Sequence, residues 1–556
     1  MKKMSVNLRA VYAFAREMYP KNVTTDIQYG TAGFRTRNDK LYYVMYRMGL
    51  LATLRSRAKD GQTIGVMITA SHNPEPDNGV KLVDPMGEML DQSWEKLATN
   101  LVNVSDMELQ DEIARIIENE KIDIGSASCV FVGMDNRYHS PGLLKAVEDG
   151  VLTLKGRVKS FGIVTTPMLH YFVVCANTNN AYGVATEEGY YDKLTTSFKR
   201  LRGTEFERGN YKNKLIFDGA NGVGARKMLR FLKTMDNSLG IEVFNKGEGK
   251  INHECGADYV KVQQGCPIGL PEIEPNTRCC SVDGDADRLV YFFTDANNQF
   301  NLLDGDRIAT LIAGYLMDLI EKCGVDVTIG LVQTAYANGA STEYIQNVLK
   351  VPVATTSTGV KHLHHKATEF DVGIYFEANG HGTVVFSNKA RKSIHAASKN
   401  VGNDLNEEQV AAARKLLLTI DLINETVGDA ISDMLLVETI LHTNGWDVKD
   451  WLAAYTDLPN VQQKLMVADR NVIRVTDADR KCVTPDGLQK EIDLLVAKYP
   501  KGRSFVRPSG TEDVVRIYAE AATREDTDRL ASEVSLITYR LAGGIGREPS
   551  VPLSHM

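Results

Sequence analysis

The chain has 556 residues, 43% of them hydrophobic and 24% charged, a globular composition that excludes intrinsic disorder and leaves room for about three to four domains. Sixty-four Lys and Arg against 71 Asp and Glu give a net charge of −7, which argues against a dedicated nucleic-acid binder. Eight cysteines with no CxxC pair fit a reducing compartment better than a disulfide scaffold.

In chain order, the N-terminus Met1-Lys2-Lys3-Met4 carries charge but no apolar core of signal-peptide length. Apolar, β-branched runs at 63–68, 130–134, 214–217 and 328–332 each meet a Gly, Asp or Asn turn and then a helical pattern. Strands alternating with amphipathic helices predict βαβ units with mixed or parallel sheets, and near-continuous apolarity predicts helices on both faces. The stretch Ile308 to Ile320 contains Asp318 and falls short of the ~20 apolar residues a membrane span needs. It reads as a buried core helix, with Asp304-Gly305-Asp306 at its start. After Trp446–Pro459 the pattern changes, and 463–475 and 504–519 read as strands of a smaller α+β unit. The expected division is 1–185, 186–300, 301–455 and 456–556. At the end, Ser554-His555-Met556 has the small, basic, apolar order of a relaxed peroxisomal tripeptide. A cytoplasmic location is therefore the expectation, with a peroxisome-like organelle, a glycosome included, as the alternative.

Four loops carry the chemistry. In Thr69-Ala70-Ser71-His72-Asn73-Pro74, Ser71 at a strand-to-loop turn is a candidate nucleophile and His72 a candidate proton shuttle. The Gly-x-Ser-x-Gly frame of a hydrolase elbow is missing, and a plain polar turn is the bland alternative. Lys81 follows closely as a cation for any phosphate on Ser71. In Asp283-Gly284-Asp285-Ala286-Asp287-Arg288, three carboxylates at spacing two form a hard oxygen set suited to Mg²⁺. An EF-hand fails there, because Arg288 stands at the sixth position and Thr294 at the twelfth. An Asp-nucleophile phosphatase is closer, and a solvated acidic hairpin is the structural alternative.

The third loop, Glu377-Ala378-Asn379-Gly380-His381-Gly382, offers Glu377 and Asn379 to sugar hydroxyls. Upstream, Thr358, Gly359 and Lys361 form a second candidate sugar loop. His362, His364 and His365 lack an i, i+4 pair and read as a helix surface rather than a metal site. The fourth loop, Arg507-Pro508-Ser509-Gly510-Thr511-Glu512 with Arg516 beyond it, combines a planar donor, hydroxyls and a Gly turn. That combination suits a phosphate cradle with no Walker A motif behind it.

These four loops in this order, with Gly30-Thr31-Ala32-Gly33-Phe34-Arg35 ahead of them, resemble the α-D-phosphohexomutase superfamily, and within it the branch acting on N-acetylglucosamine phosphates. The resemblance spans nearly the whole chain. It implies four domains around a central cleft: three related α/β domains with mixed sheets, then a smaller C-terminal α+β domain. In chain order these would be the phosphoserine, metal-binding, sugar-binding and phosphate-binding domains. It implies Ser71 as the phosphoserine, and Asp283, Asp285 and Asp287 as ligands of one Mg²⁺ per subunit, with an oxygen on Ser71 completing the set. It further implies Glu377 and Asn379 as the sugar-selecting pair, and Arg507, Ser509, Gly510, Thr511 and Arg516 as the clamp on the phosphate not being transferred. Asn379, where glucose- and mannose-selective relatives place Ser, points to an N-acetylated sugar.

Three aspartates, a phosphoserine of about −2 charge and Mg²⁺ leave roughly −3 before a dianionic substrate arrives. Arg35, Lys81 and Arg288 are the candidate compensating cations. The implied reaction interconverts the 6- and 1-phosphates of N-acetylglucosamine through a 1,6-bisphosphate, on the route to the nucleotide sugar, with a hexose 1,6-bisphosphate as activator. His72, Arg35 and Lys81, in that order, are the candidates for acid and base. The expected partner is a small phosphosugar, with no nucleic acid, no membrane and a monomeric chain. A broader mutase that also takes glucose phosphates is the nearest alternative; the phosphatase and a non-catalytic phosphosugar binder are the others.

Overall fold

A computed structural model describes residues 7–400, 405–509 and 514–551. The chain forms two compact units. The first comprises the chain up to Asp304 together with Asn379–Thr383 and Arg414–Val448, and the second comprises the remainder.

The first unit holds two five-stranded mixed sheets with the same pattern of pairing but different strand orders along the chain. In one, the strands run in the order Phe34–Arg37, Asp77–Val83, Thr63–Ile68, Cys129–Met134, Arg157–Ile163. The first two pairings are antiparallel and the last two parallel. The other sheet repeats this with Phe300–Leu303, Leu289–Thr294, Cys279–Val282, Leu215–Asp218 and Ile241–Phe244. Thr63–Ile68 is buried along its length, and its residues alternate between two helix layers, as the strand period of two requires. Ile64, Val66 and Ile68 join the core formed with the helices Tyr42–Ala58 and Ser140–Thr153, while Gly65 faces Val173 of the helix Thr166–Asn177. Tyr42–Ala58 and Ser140–Thr153 cross at a glycine pair. A Cβ on Gly49 would lie 2.2 Å from the Val147 carbonyl, and one on Gly150 would lie 2.1 Å from that of Tyr46, so this close crossing needs both glycines.

One expected domain boundary needs a correction. The strand Phe300–Leu303 runs across the expected boundary at 300/301, because it completes the second sheet. The buried helix Ala430–Asn444, within the expected third domain, packs with the second sheet. Its Glu438 accepts two hydrogen bonds of 2.8 Å from Arg278, one of 2.6 Å from the Tyr211 hydroxyl and one of 3.1 Å from the Tyr291 hydroxyl. A buried carboxylate so fully paired fixes the helix there.

The second unit contains the sheet ordered Val353–Thr356, Ile329–Thr334, Val372–Phe376, Gly382–Phe386, whose last strand begins in the first unit. The expected core helix runs Gly305–Cys323. The smaller C-terminal module is the antiparallel sheet Asn460–Met466, Val514–Glu520, Arg503–Pro508 under the helices Leu488–Val496 and Arg524–Leu541. The run 463–475, expected as strand, holds two strands. Asn460–Met466 stops before a 3₁₀ turn at Arg470–Val472, where Asp469 caps the Asn471 N–H, and Arg474–Thr476 follows. The run 504–519 is likewise a hairpin of two strands, Arg503–Pro508 and Val514–Glu520. No helix among the described residues is long and apolar enough to cross a membrane. The tripeptide Ser554-His555-Met556 lies outside the described residues.

Candidate active site

Each loop singled out by the sequence follows one strand of a sheet and leads into its neighbour. Residues 69–76 join Thr63–Ile68 to Asp77–Val83, and 283–288 join Cys279–Val282 to Leu289–Thr294. Residues 377–381 join Val372–Phe376 to Gly382–Phe386, and the fourth loop joins Arg503–Pro508 to Val514–Glu520. In the first three the preceding strand is also parallel-paired. The C-terminal ends of parallel strands are where α/β sheets place their sites.

In the first unit, Ser71 has φ 52°, a left-handed conformation that is uncommon for a non-glycine residue. Its environment over-determines it. The Ser71 N–H donates to Thr69 Oγ1 at 2.9 Å, and its carbonyl accepts from Arg137 at 3.2 Å and from the Asn252 amide at 2.8 Å. The fully buried Ser71 hydroxyl donates to Asp283 Oδ2 at 2.6 Å and lies 3.5 Å from Asp287 Oδ1. Ala286, at φ 56°, turns the aspartate hairpin so that ligand oxygens of Asp283, Asp285 and Asp287 lie within 4.8 Å of one another. The Asp287 N–H closes the turn onto Asp283 Oδ1. Thr166, at the start of its helix, donates to Asp285 Oδ2 at 2.6 Å.

Cations surround this set. Lys81 Nζ lies 3.0 Å from Asp287 and 3.3 Å from Asp285, and Arg288 Nε lies 3.9 Å from both Asp283 and Asp287. Burial pushes Asp283 well above the usual carboxylate range, and the neighbouring Asp287 and Asp285 add to the shift. Burial would do the same to Asp287, but Lys81, His381 and Arg288 outweigh it and hold that carboxyl well below its usual range. Burial opposes the charge on Lys81, yet Asp285 and Asp287 raise its pKa. Arg35 is lowered by burial and by Arg288.

Asp285 Oδ1 is buried and has no hydrogen-bond partner among the described residues. Three buried carboxylates, one with an open oxygen and one pushed up by the other two, form a donor set that fits a hard divalent cation. Asp283, Asp285 and Asp287, with an oxygen on Ser71, would hold it.

His72 fits its expected proton-shuttling role poorly. The charge of Arg288 depresses its imidazole first, then burial and Arg35, down to about 2. The ring is therefore neutral at physiological pH and only weakly basic. His381 Nδ1 lies 2.6 Å from the Asp287 carbonyl, and Asn379 Oδ1 accepts the His381 N–H at 3.0 Å. Gly380 at φ 87° accepts the Leu289 N–H. A Cβ there would fall 1.9 Å from the Leu289 carbonyl, so the loop needs glycine at this position.

The second unit brings together Thr358, Arg507 and Arg516 with residues that sequence reasoning missed. Arg507 and Arg516 are cross-strand neighbours, and Lys464 faces Arg516 from the other side. Three cations thus stand side by side on one face, an arrangement that suits an anion. Arg507 Nε lies 3.8 Å from Asp479 Oδ2, and its guanidinium is 6.0 Å from the Tyr336 ring centroid. Among the described residues, Arg507 Nε and Thr358 Oγ1 are buried without a hydrogen-bond partner. The Ser509 N–H closes the hairpin onto the Val514 carbonyl at 2.9 Å. Gly510 and Thr511 lie outside the described residues. Gly359, at φ 127°, precedes the helix Val360–Ala367, which carries Lys361 in its first turn. The His run lies on that helix as expected, with His364 Nδ1 3.0 Å from the Tyr375 hydroxyl. Glu377 directly follows the strand Val372–Phe376.

Arg137, Asn252 and Thr166 were also missed. A positional signal existed for two of them: Asp135-Asn136-Arg137 and Thr165-Thr166 each follow a strand of the first sheet.

Family models described as phosphoacetylglucosamine mutase AMG1, domains II and III, match residues 180–290 and 304–446. The phosphoglucomutase/phosphomannomutase α/β/α domain I matches 52–109 and 107–185, and the C-terminal domain of the same family matches 463–537. The phosphoacetylglucosamine mutase of Homo sapiens is 53% identical over 524 residues, covering 94% of this chain and 96% of its own. The Aspergillus fumigatus N-acetylphosphoglucosamine mutase, solved in complex with GlcNAc-6P and magnesium, is 47% identical with a TM-score of 0.91, over 97% of this chain and 100% of its own. A second structure of the Aspergillus fumigatus enzyme, in complex with glucose 1,6-bisphosphate, superposes with a TM-score of 0.90 at 46% identity, over the same shares of both chains.

Proposed function

The chain belongs to the phosphoacetylglucosamine mutase family of phosphohexomutases, and from that premise we propose how its residues interconvert N-acetylglucosamine 6-phosphate and N-acetylglucosamine 1-phosphate. The observation that carries the reading is the buried Ser71 hydroxyl 2.6 Å from Asp283, inside a triad of aspartates ringed by Lys81 and Arg288.

Ser71 carries a phosphoryl group in the resting cycle. The free hydroxyl of the bound sugar monophosphate attacks that phosphorus and gives up its proton; the bond to Ser71 Oγ breaks, Ser71 Oγ takes up a proton, and a 1,6-bisphosphate forms. After the intermediate turns over, Ser71 takes back the other phosphoryl group. A divalent cation on Asp283, Asp285 and Asp287, Mg²⁺ in our reading and one per subunit, supplies charge neutralisation for the transferring group when bound. Lys81, Arg288 and Arg35 neutralise the remaining charge. Lys81 takes precedence over His72 as the residue that holds a proton at the site, because its two carboxylate partners keep it an ammonium.

Arg507, Ser509, Gly510, Thr511 and Arg516 hold the phosphate that is not transferred, and the aligned cations of the C-terminal sheet support that role. Glu377 and Asn379, aided by Thr358, Gly359 and Lys361, select the sugar. A hexose 1,6-bisphosphate recharges Ser71 when the intermediate escapes. The chain acts as a monomer in the cytoplasm, or in a peroxisome-like organelle if Ser554-His555-Met556 is read as a signal.

A phosphorus NMR time course with N-acetylglucosamine 6-phosphate, Mg²⁺ and a trace of hexose 1,6-bisphosphate tests the reaction. The sugar 1-phosphate resonance grows with the native protein and is absent with Ser71→Ala. Release of inorganic phosphate by both proteins would instead assign an Asp-nucleophile phosphatase.

A further inference from the structure

Asp479 lies outside every motif discussed above, yet it touches two of the loops that the mutase reading uses. Its Oδ2 accepts the Thr358 N–H at 2.9 Å and lies 3.8 Å from Arg507 Nε. The carboxylate is largely buried. It is held there by a turn in which three successive non-glycine residues, Asp477, Ala478 and Asp479, have φ values of 53°, 55° and 68°. Left-handed residues normally occur singly, so the turn between Arg474–Thr476 and Lys481–Thr484 is strained, and its product is a carboxylate aimed at the clamp. Arg480, on the same turn, is occupied with Asp477 at 2.7 Å.

The chemistry asks for such a group. The clamp aligns Arg507, Arg516 and Lys464 on one sheet face, and three cations would grip a phosphate dianion tightly. Grip that is equal in ground and transition states lowers KM without raising kcat. A mutase must also release and re-grip a phosphate as the bisphosphate turns over, so over-tight holding slows the cycle.

We propose that Asp479 is the clamp's resident counter-ion: it competes with the substrate's non-transferred phosphate for Arg507 and, through the Thr358 N–H, ties the vacant clamp to the sugar loop. Phosphate seating on Arg507 displaces the Asp479 carboxylate and loosens its hold on Thr358. Release of phosphate restores both contacts. Asp479 acts through Arg507 and is a positioning residue. The inference rests on the clamp assigned under the proposed function.

The test compares Asp479→Asn, Asp479→Glu and Arg507→Met with the native protein. Inorganic phosphate binding is measured by calorimetry, together with kcat and KM for N-acetylglucosamine 6-phosphate. Asparagine is close in shape and tolerates the left-handed region, so the turn survives while the charge is lost. Asp479→Asn should bind inorganic phosphate roughly three- to tenfold more tightly, with lower KM and lower kcat, and Asp479→Glu should restore native values. Phosphate affinity unchanged or weakened in Asp479→Asn, with binding still dependent on Arg507, overturns the role of Asp479 alone. Phosphate binding indifferent to Arg507→Met refutes the clamp itself, and this inference with it. In the native protein, amide exchange at Thr358 should quicken when phosphate is added, and unchanged exchange would contradict the displacement.

Discussion

At the aspartate hairpin three carboxylates are closed in by Lys81 and Arg288, whereas at the C-terminal hairpin three cations, Lys464, Arg516 and Arg507, share one face with Asp479 beside them. The first site is buried and its backbone is over-determined: Ser71 is fixed by Thr69, Arg137 and Asn252. The second retains unpartnered donors at Arg507 Nε and Thr358 Oγ1 among the described residues. A pocket of excess negative charge in rigid surroundings suits a permanent cation and a covalent phosphoryl carrier. A row of cations with a carboxylate 3.8 Å from Arg507 suits an anion that comes and goes. On the proposed reading, the same hairpin device serves fixed chemistry in one unit and exchangeable binding in the other.

The contrast breaks most sharply at Ser71. Ser71→Ala should lower kcat by at least about 10³-fold while leaving substrate binding near native, since only the covalent carrier is lost; single-turnover kinetics beside calorimetry separate the two. Next comes the cation. Asp285→Asn, or chelation of the metal, should cost about 10²–10³-fold in kcat. Metal affinity should weaken as pH falls, because the raised Asp283 must lose its proton to bind. Arg507→Met should act mainly on KM, raising it roughly ten- to a hundredfold for the loss of a charge-assisted hydrogen bond. His72→Gln should lower kcat by less than about tenfold, since Arg288, burial and Arg35 keep the ring neutral and weakly basic. Steady-state rates on these last two variants would expose an error if the KM and kcat effects were reversed.

Much of the first site was readable in the sequence because its chemistry is local. Asp283, Asp285 and Asp287 lie within five residues, and Ser71 sits at the end of an apolar strand. The fold class was also readable, from apolar runs and the helices between them. The supporting groups were not, because they are brought in by tertiary contacts over long sequence separations. Asn252 and Asp479 carry no pattern until the fold places them against a loop. The packing of the helix Ala430–Asn444 was unreadable for the same reason: a Glu438–Arg278 pair across 160 residues decides it. The weak basicity of His72 was unreadable too, because the two guanidiniums that depress its imidazole come from Arg288 and Arg35.

The smallest expected effect concerns acid stability of the first unit. His170 is buried with Nδ1 2.7 Å from the Gly87 carbonyl, and burial lowers its pKa from 6.5 to about 4. The unfolded chain therefore binds this proton first. The stabilisation is full above pH 6.5 and is lost as pH falls through about 4, a change of about 3 kcal/mol at most. Urea midpoints at pH 7 and pH 5 should differ more in the native protein than in His170→Gln.

The central claim is that Ser71 carries the phosphoryl group between two sugar positions. Intact-protein mass spectrometry with peptide mapping tests it most directly, after mixing with Mg²⁺ and hexose 1,6-bisphosphate and again after adding excess N-acetylglucosamine 6-phosphate. The account predicts one added phosphate, mapped to Ser71, that the sugar monophosphate then removes. A phosphate that maps to an aspartate of the 283–287 hairpin, or no adduct while turnover proceeds, would contradict it.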